Sequence, residues 1–305
     1  MIRIPLTLLA LLLPISTYAQ EASPKPQTID DRQIRARFEK ELGQLKDDGK
    51  TPEPKSILKQ LSERKNHAAK LPQIGSSSKT GSTASIYSSR KNSVLCFGHI
   101  YKCDKCDKWH GNIAGGFIIT ADGLAVTNYH VMESEKAGAF GAMTADGKVY
   151  MVEEVLAASK DDDLAIVRLA GDGFSPAPVK AGEAVGSKVV AISHPQGRFY
   201  TVSEGIISRY YKHRRGRQNF TDRMAITADF AKGSSGSPIF SADGSVVGVV
   251  SSTDSIYYDR DKSGSESNLQ MVIKSCVPSS SILKLLSEAE RQATNKLPTN
   301  SRRAF

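Results

Sequence analysis

Gly233-Ser234-Ser235-Gly236-Ser237-Pro238-Ile239-Phe240-Ser241-Ala242-Asp243-Gly244-Ser245-Val246-Val247-Gly248-Val249-Val250 sets the fold class. The stretch reads as a glycine-flanked turn, an apolar strand over Ser237–Phe240, a tight Asp-Gly turn and a second apolar strand over Val246–Ser251. Asp-Gly supplies the positive φ angles that hairpin turns need, so the two runs are expected to pair antiparallel. The same Ala-Asp-Gly tripeptide recurs at 121–123 and 145–147. Outward from this hairpin, short runs rich in Val, Ile, Tyr and Phe are separated by Gly, Asp, Ser and Pro. They predict further strands at Gly116–Thr120, Leu124–Asn128, Lys148–Val155, Leu164–Leu169, Lys188–Ser193, Tyr200–Ser208, Met224–Ala228 and Leu269–Lys274. The expected domain is all-β and begins near Ser93. Gly171–Gly182 carries two prolines and divides it into halves of similar size, 93–172 and 183–275. Two packed barrels suit that division better than one sheet with long unpaired edges. A helix starting at one of Ser279–Ser281 ends the domain near 290, and 291–305 is expected to be a disordered tail.

The 305 residues carry 41 Lys+Arg against 32 Asp+Glu, a net charge of +9, and 39% are hydrophobic, the composition of a soluble globular protein. The one long apolar run, Ile4–Ile15, falls short of the roughly 20 residues that a membrane span requires. Arg3 precedes it and Thr17-Tyr18-Ala19 follows, so 1–19 reads as a signal peptide cut before Gln20, which implies export to a periplasm or beyond. Charge is positive but spread out, and no recognition-helix, RNA-binding or zinc-finger spacing supports a nucleic-acid partner. Residues 20–74 form a polar arm with two weakly amphipathic helical stretches, Thr28–Leu45 and Lys55–Leu71. The segment 75–92 is Gly/Ser-rich and is expected to be a flexible linker. The basic run Arg209–Arg223 reads as a solvated hairpin loop or as a dock for an acidic partner.

Three segments carry chemistry. His130 ends an apolar strand, Asp163 opens a buried one after Asp161 and Asp162, and Ser235 lies in the glycine-flanked turn. A hydroxyl is a weak nucleophile until a base takes its proton, and the base needs a carboxylate to fix its tautomer and stabilise its charge. His, Asp and Ser at strand ends supply those parts. Glycines beside the serine allow two backbone N–H groups to converge on a tetrahedral oxyanion.

Six segments follow one another in a familiar order: Ala114-Gly115-Gly116-Phe117-Ile118-Ile119, Asn128–Val131, Asp163-Leu164-Ala165, Ile192–Gly197, Thr201–Ser208 and Gly233–Pro238, the last followed by Gly244 and Val247-Gly248-Val249. In these the chain resembles the trypsin-like serine peptidases of the chymotrypsin fold, in their bacterial Deg/HtrA-type branch. The resemblance implies two six-stranded antiparallel barrels with an active site between them. It also implies His130 as general base, Asp163 as orienting carboxylate with Asp162 as the fallback, and Ser235 as nucleophile. The oxyanion turn is Gly233-Ser234-Ser235, with the N–H groups of Gly233 and Ser235 as donors. The activity implied is an exported serine endopeptidase acting through an acyl-enzyme on accessible or unfolded polypeptides, with no cofactor. A catalytically silent binding protein on this scaffold, and a latent peptidase controlled by the N-terminal arm, are the alternatives. Ser234 stands where trypsin has an aspartate, so activation by that ion pair is not expected. The sequence continues only about 20 residues after the capped helix, so a PDZ domain is not expected.

By the same resemblance Asp229, six residues before the nucleophile, lines the base of the specificity pocket, where a buried carboxylate would select Lys or Arg. Phe230 is positioned to fill that pocket, and the alternative for Asp229 is a structural ion pair. On the neighbouring strand Ser251 joins Val250, which replaces the histidine of glutamyl endopeptidases, and Thr253, which replaces a glycine of trypsin. Cys96, Cys103 and Cys106 cluster ahead of the first family segment, and Cys276 precedes the final helix. Export argues for disulfides, in any of three pairings. A structural zinc held by ligands among Cys96, His99, Cys103, Cys106 and His110 is the competing reading. Neither is required for serine chemistry.

Overall fold

The computed structural model describes residues 28–63, 80–215, 219–261 and 263–296. The expected signal peptide, residues 20–27 and 64–74 of the expected arm with the end of its second helical stretch, residues 75–79 of the expected linker, Arg217 and residues 297–305 of the tail lie outside these. Among the described residues no helix is long and apolar enough to cross a membrane.

Two closed six-stranded barrels form the body of the protein. The first contains β1 (Val94–Cys103), β2 (Cys106–Ile118), β3 (Leu124–Thr127), β4 (Ala139–Met143), β5 (Val149–Ser159) and β6 (Leu164–Leu169), in the order β1-β2-β3-β6-β5-β4. The second contains β7 (Lys188–Ser193), β8 (Thr201–Arg215), β9 (Asn219–Ile226), β10 (Pro238–Ser241), β11 (Val246–Arg260) and β12 (Glu266–Pro278), in the order β10-β11-β12-β9-β8-β7. Every ladder is antiparallel. Phe97, Ile118 and Val167 fill the first barrel, and Val189, Ile239 and Val247 fill the second. A third apolar cluster, including Phe117, Val126, Val190 and Phe240, draws side chains from both barrels.

Strands β1 and β4 are additions to the sequence reading. From Val94 to Ile100 β1 is buried on both faces, so it lacks the alternation that marks a half-exposed strand. The small residues of β4 let α1 (Asp31–Asp47) approach closely, since a side chain at Gly141 would strike Leu42. Strands β8, β9, β11 and β12 also extend past the barrel as two hairpin arms, and from Ser252 to Arg260 β11 is exposed throughout.

The N-terminal arm is part of the folded body rather than an appendage. In α1 the Asp30 carboxylate accepts the N–H groups of Arg32 and Gln33, both at 3.0 Å, and Phe38 and Leu42 are fully buried. A second helix, α2 (Pro54–Glu63), buries Ile57 and Leu61 against the first barrel. Within the expected linker, Thr83–Arg90 is a third helix, α3, capped by Ser82 and anchored by buried Ile86. Its serines serve as a cap and as hydrogen bonds to the helix backbone, and Thr83 donates to the Glu204 carboxylate, so none is a mere spacer. The four-residue α4 (Tyr129–Met132) follows β3, and α5 runs Ser279–Lys296, six residues into the expected tail.

Candidate active site

Residue His130 stands on α4, directly after buried β3, and Asp163 occupies the tight turn between β5 and β6. The aspartate has φ +61°, a left-handed conformation that aspartate tolerates better than most residues. Its backbone carbonyl accepts Asn128 Nδ2 at 2.8 Å, which pins the turn to the end of β3. Its carboxylate is buried and receives three donors. His130 Nδ1 lies 2.9 and 3.0 Å from its two oxygens, the His130 backbone N–H donates to Oδ1 at 3.1 Å, and the Ser251 hydroxyl donates to Oδ2 at 2.8 Å. Asp162 faces elsewhere and accepts the Ser159 hydroxyl at 2.9 Å. Ser251, expected in the specificity pocket, therefore touches the carboxylate instead.

The serine turn belongs to the second barrel. Gly233 and Gly236 have φ of +95° and +84°, and any side chain at Gly236 would collide with the Gly115 carbonyl. Ser234 N–H is consumed inside the turn by Ala231 O at 3.0 Å, whereas among the described residues no carbonyl accepts the N–H of Gly233 or Ser235. Lys232 O accepts Gln196 N–H at 2.7 Å. Across a trans peptide that carbonyl and the Gly233 N–H point in opposite directions, so the contact fixes both. Ser235 O accepts the Gly115 N–H at 2.7 Å, which joins the turn to β2 of the first barrel. The Ser235 hydroxyl donates to Ser251 O at 3.4 Å. Among the described residues it makes no hydrogen bond to His130.

His130 and Ser235 line one cleft of about 460 Å³ between the barrels. Gly233, Lys232, Gln196 and Ile113 share its wall, as does Arg35 of α1, whose guanidinium donates to Gly111 O at 2.9 Å. Nearby, Glu39 accepts the Gly111 N–H at 2.9 Å and Asp31 accepts the Phe199 N–H at 2.9 Å. No local motif marks Arg35, Glu39 or Asp31, because Arg35 reaches the cleft wall, and Glu39 and Asp31 reach the neighbouring backbone, only through the packing of α1. In the loop Asp31 holds, His194 is fully buried. Its Nε2 lies 3.0 Å from Leu95 O and its Nδ1 accepts the Tyr200 N–H at 3.0 Å, which fixes the neutral Nε2–H tautomer. Burial pushes its pKa down to about 4. His99, also buried and on the cleft wall, is pushed down to about 4 for the same reason.

The other expected site residues are dispersed. Asp229 is 86% exposed and pairs with Lys274 Nζ at 3.1 Å, so no buried carboxylate forms a pocket base there. Lys274 also donates to Phe230 O at 2.7 Å, Phe230 and Val250 are buried in the second barrel, and Thr253 is exposed on the β11 arm opposite Lys274. All four cysteines are free. Cys96 and Cys276 are sealed in different barrels, where burial pushes the Cys96 thiol up to about 12 and the Cys276 thiol higher. Only Cys103, Cys106 and His110 come together, at the tip of the β1–β2 hairpin. Of the expected pairings the structure brings together only Cys103 and Cys106, while Cys96, Cys276 and His99 stand apart from the cysteine tip. The basic run lies along the β8–β9 arm, where Lys212 pairs with Asp222 at 2.6 Å.

Residues 114–249 match the trypsin-like peptidase domain family. Over 136 residues the chain is 30% identical to a probable periplasmic serine endoprotease, DegP-like, of Chlamydia muridarum, covering 44% of this chain and 27% of that one. A protein of the same description from Rickettsia prowazekii is 34% identical over 150 residues, covering 45% and 27%. The anti-sigma-I factor RsgI9 of Acetivibrio thermocellus is 33% identical over 138 residues, covering 44% and 18%. The chain spans about a quarter or less of the length of these relatives. Among solved structures, the HtrA-type protease AlgW with tripeptide aligns at TM-score 0.54 and 20% identity, covering 70% of this chain and 64% of that one. That likeness is one of fold.

Proposed function

We propose that this chain, which carries a trypsin-like peptidase domain of the Deg/HtrA type, is an exported serine endopeptidase that cleaves accessible or unfolded polypeptides. The observation that carries the reading is the Asp163 carboxylate, which grips His130 by ring and backbone together while Ser235 faces the same cleft.

With Nδ1–H given to Asp163, the other ring nitrogen of His130 is left as the base. Attack of Ser235 Oγ on a peptide carbonyl passes the hydroxyl proton to that nitrogen. The carbonyl oxygen becomes an oxyanion received by the N–H groups of Gly233 and Ser235, and Asp163 stabilises the imidazolium. Collapse breaks the C–N bond, His130 gives its proton to the departing amine, and an ester to Ser235 remains. Water, deprotonated by His130, then releases the acid and restores the serine. The hydroxyl must rotate from Ser251 O towards His130 before attack. Substrate fits as an added strand: from Ser251 onward β11 pairs only with β12 among the described residues, and its other edge is open beside the serine turn. Such an edge takes an extended segment, which an unfolded chain or an accessible loop supplies. Residues 1–19 support export.

The arm reading takes a specific form here. Asp31 and Arg35 support the cleft, so the arm acts as a wall of the enzyme and not as an inhibitor.

The test is hydrolysis of an unfolded protein, reduced casein, by the chain and by Ser235→Ala, with organophosphonate labelling of Ser235. Cleavage and labelling that vanish together in the variant establish the peptidase. A folded chain that neither cleaves nor labels is a binding protein on a peptidase scaffold.

A further inference from the structure

Two thiols and an imidazole that the peptidase chemistry does not use converge at the tip of the β1–β2 hairpin. Cys103 and Cys106 face each other across the two strands, Sγ to Sγ 3.2 Å, and His110 Nε2 is 3.0 Å from Cys106 Sγ. The three donor atoms all lie within 4.8 Å of one another. A break in the ladder explains the convergence. Four residues of regular strand would hold Cys106 and His110 roughly 13 Å apart, but the register shifts between Lys102 and Cys103: Lys102 faces Trp109, Cys103 faces Cys106, and Asp107 and Lys108 have no partner on β1.

Around a tetrahedral zinc, with Zn–S about 2.3 Å and Zn–N about 2.0–2.1 Å, donor atoms stand roughly 3.5–3.8 Å apart. The Cys103–Cys106 and Cys106–His110 separations need to open by about half an ångström to meet that geometry, and the third lies within 4.8 Å, so side-chain rotation suffices to adjust it. The hairpin is held in register for it. Lys102 lies 4.4 Å over the Trp109 ring that faces it across the ladder, and the Trp109 indole donates to the Asp47 carboxylate of α1 at 3.1 Å. The Trp109 ring also fills the space that side chains at Gly43 and Gly138 would occupy, so the hairpin is clasped between α1 and the segment before β4.

We propose that Cys103, Cys106 and His110 bind one zinc ion, with water in the fourth position on the solvent side, where Cys106 is exposed. Two thiolates and a neutral imidazole balance the charge of a divalent cation, and their softness selects zinc over magnesium or calcium. The ion would staple the two strands of the hairpin tip to each other and would take no part in peptide hydrolysis.

The experiment is titration of the reduced, metal-free full chain with Zn²⁺ against a chromophoric competitor, with Co²⁺ as a spectroscopic replacement. One equivalent is expected to bind, and cobalt is expected to give thiolate charge-transfer and tetrahedral d–d bands. Cys103→Ser and Cys106→Ser, both at the solvent-facing tip, are each expected to weaken zinc at least about 100-fold with circular dichroism unchanged. His110→Ala is expected to alter the cobalt spectrum, and Cys276→Ser to leave affinity unchanged. Absence of binding by the folded, reduced chain would overturn the assignment. So would equal affinity in Cys106→Ser, or recovery of the exported protein with Cys103 and Cys106 oxidised to a disulfide and no metal.

Discussion

The Asp31 carboxylate accepts the backbone N–H of Phe199 at 2.9 Å, so the first turn of α1 holds the loop whose Gln196 N–H in turn holds Lys232 O. The position of the Gly233 N–H thus depends on a residue outside both barrels. Asp31→Ala is expected to lower kcat by about 10-fold or more, approaching the 10²–10³ lost with an oxyanion donor, while KM changes less. Steady-state hydrolysis of a peptide substrate checks this, with organophosphonate labelling slowed in proportion.

The Ser251 hydroxyl donates to Asp163. Ser251→Ala is expected to cost about 1–3 kcal/mol, roughly 5- to 150-fold in kcat, with no change in the residues found before the cuts. Asp163→Asn is expected to cost about 10⁴-fold, because an amide permits the wrong imidazole tautomer. Mass spectrometry of casein fragments together with kcat separates orientation from specificity.

Asp229 is a solvent-facing partner of Lys274. Exposed pairs contribute about 0–1 kcal/mol, so Asp229→Asn is expected to change kcat/KM for substrates with Lys or Arg before the scissile bond by less than about 5-fold. Selective loss of such substrates by 100-fold would restore a basic-specific pocket.

Buried His99 and His194 make stability depend on pH. Each has a pKa near 4 when folded, against about 6.5 when exposed, so between pH 6.5 and 4 the unfolded chain binds more protons. Stability is expected to be level above pH 7 and to fall as pH drops through that window, by on the order of 3 kcal/mol per histidine at full effect. The thiols of Cys96 and Cys276 set the other limit. Burial raises them above the ordinary value of 9, so stability falls as pH rises past 9. Urea midpoints at pH 4 to 10 check both limits, and His194→Gln is expected to flatten the acid side.

Truncation to a chain that begins near Ser93 removes Phe38, Leu42, Ile57 and Leu61 from the core. At about 1.5–3 kcal/mol each the loss approaches the whole ~5–15 kcal/mol by which a domain is stable. The truncated chain is expected to aggregate or to melt at least about 10 °C lower in thermal denaturation. A more active, equally stable truncation would instead mark the arm as an inhibitor.

What was legible in the sequence followed from locality. His130, Asp163 and Ser235 each lie in a short segment whose turn chemistry is written in adjacent residues, and the Asp-Gly hairpins announce antiparallel pairing. The unread parts depend on contacts across the chain. Fully buried β1 carries no alternation, and α1 is only weakly amphipathic because Arg35 and Glu39 face protein as well as water. Position relative to the nucleophile put Asp229 in a pocket, yet Lys274, from a strand far along the chain, draws it to the surface. Cysteine count under export suggested disulfides, but two of the four thiols are enclosed in separate barrels.

The hydrogen bond from Gly115 N–H to Ser235 O makes the backbone of Ser235 one of the rivets between the halves. His130 and Asp163 are built on one half and Ser235 on the other. Until the halves dock, a newly made chain has each without its counterpart, and the same event that closes the cleft also aligns it. In the proposed peptidase, assembly and activation are then a single step, and a chain whose halves have yet to dock carries no competent cutting edge against itself or its neighbours.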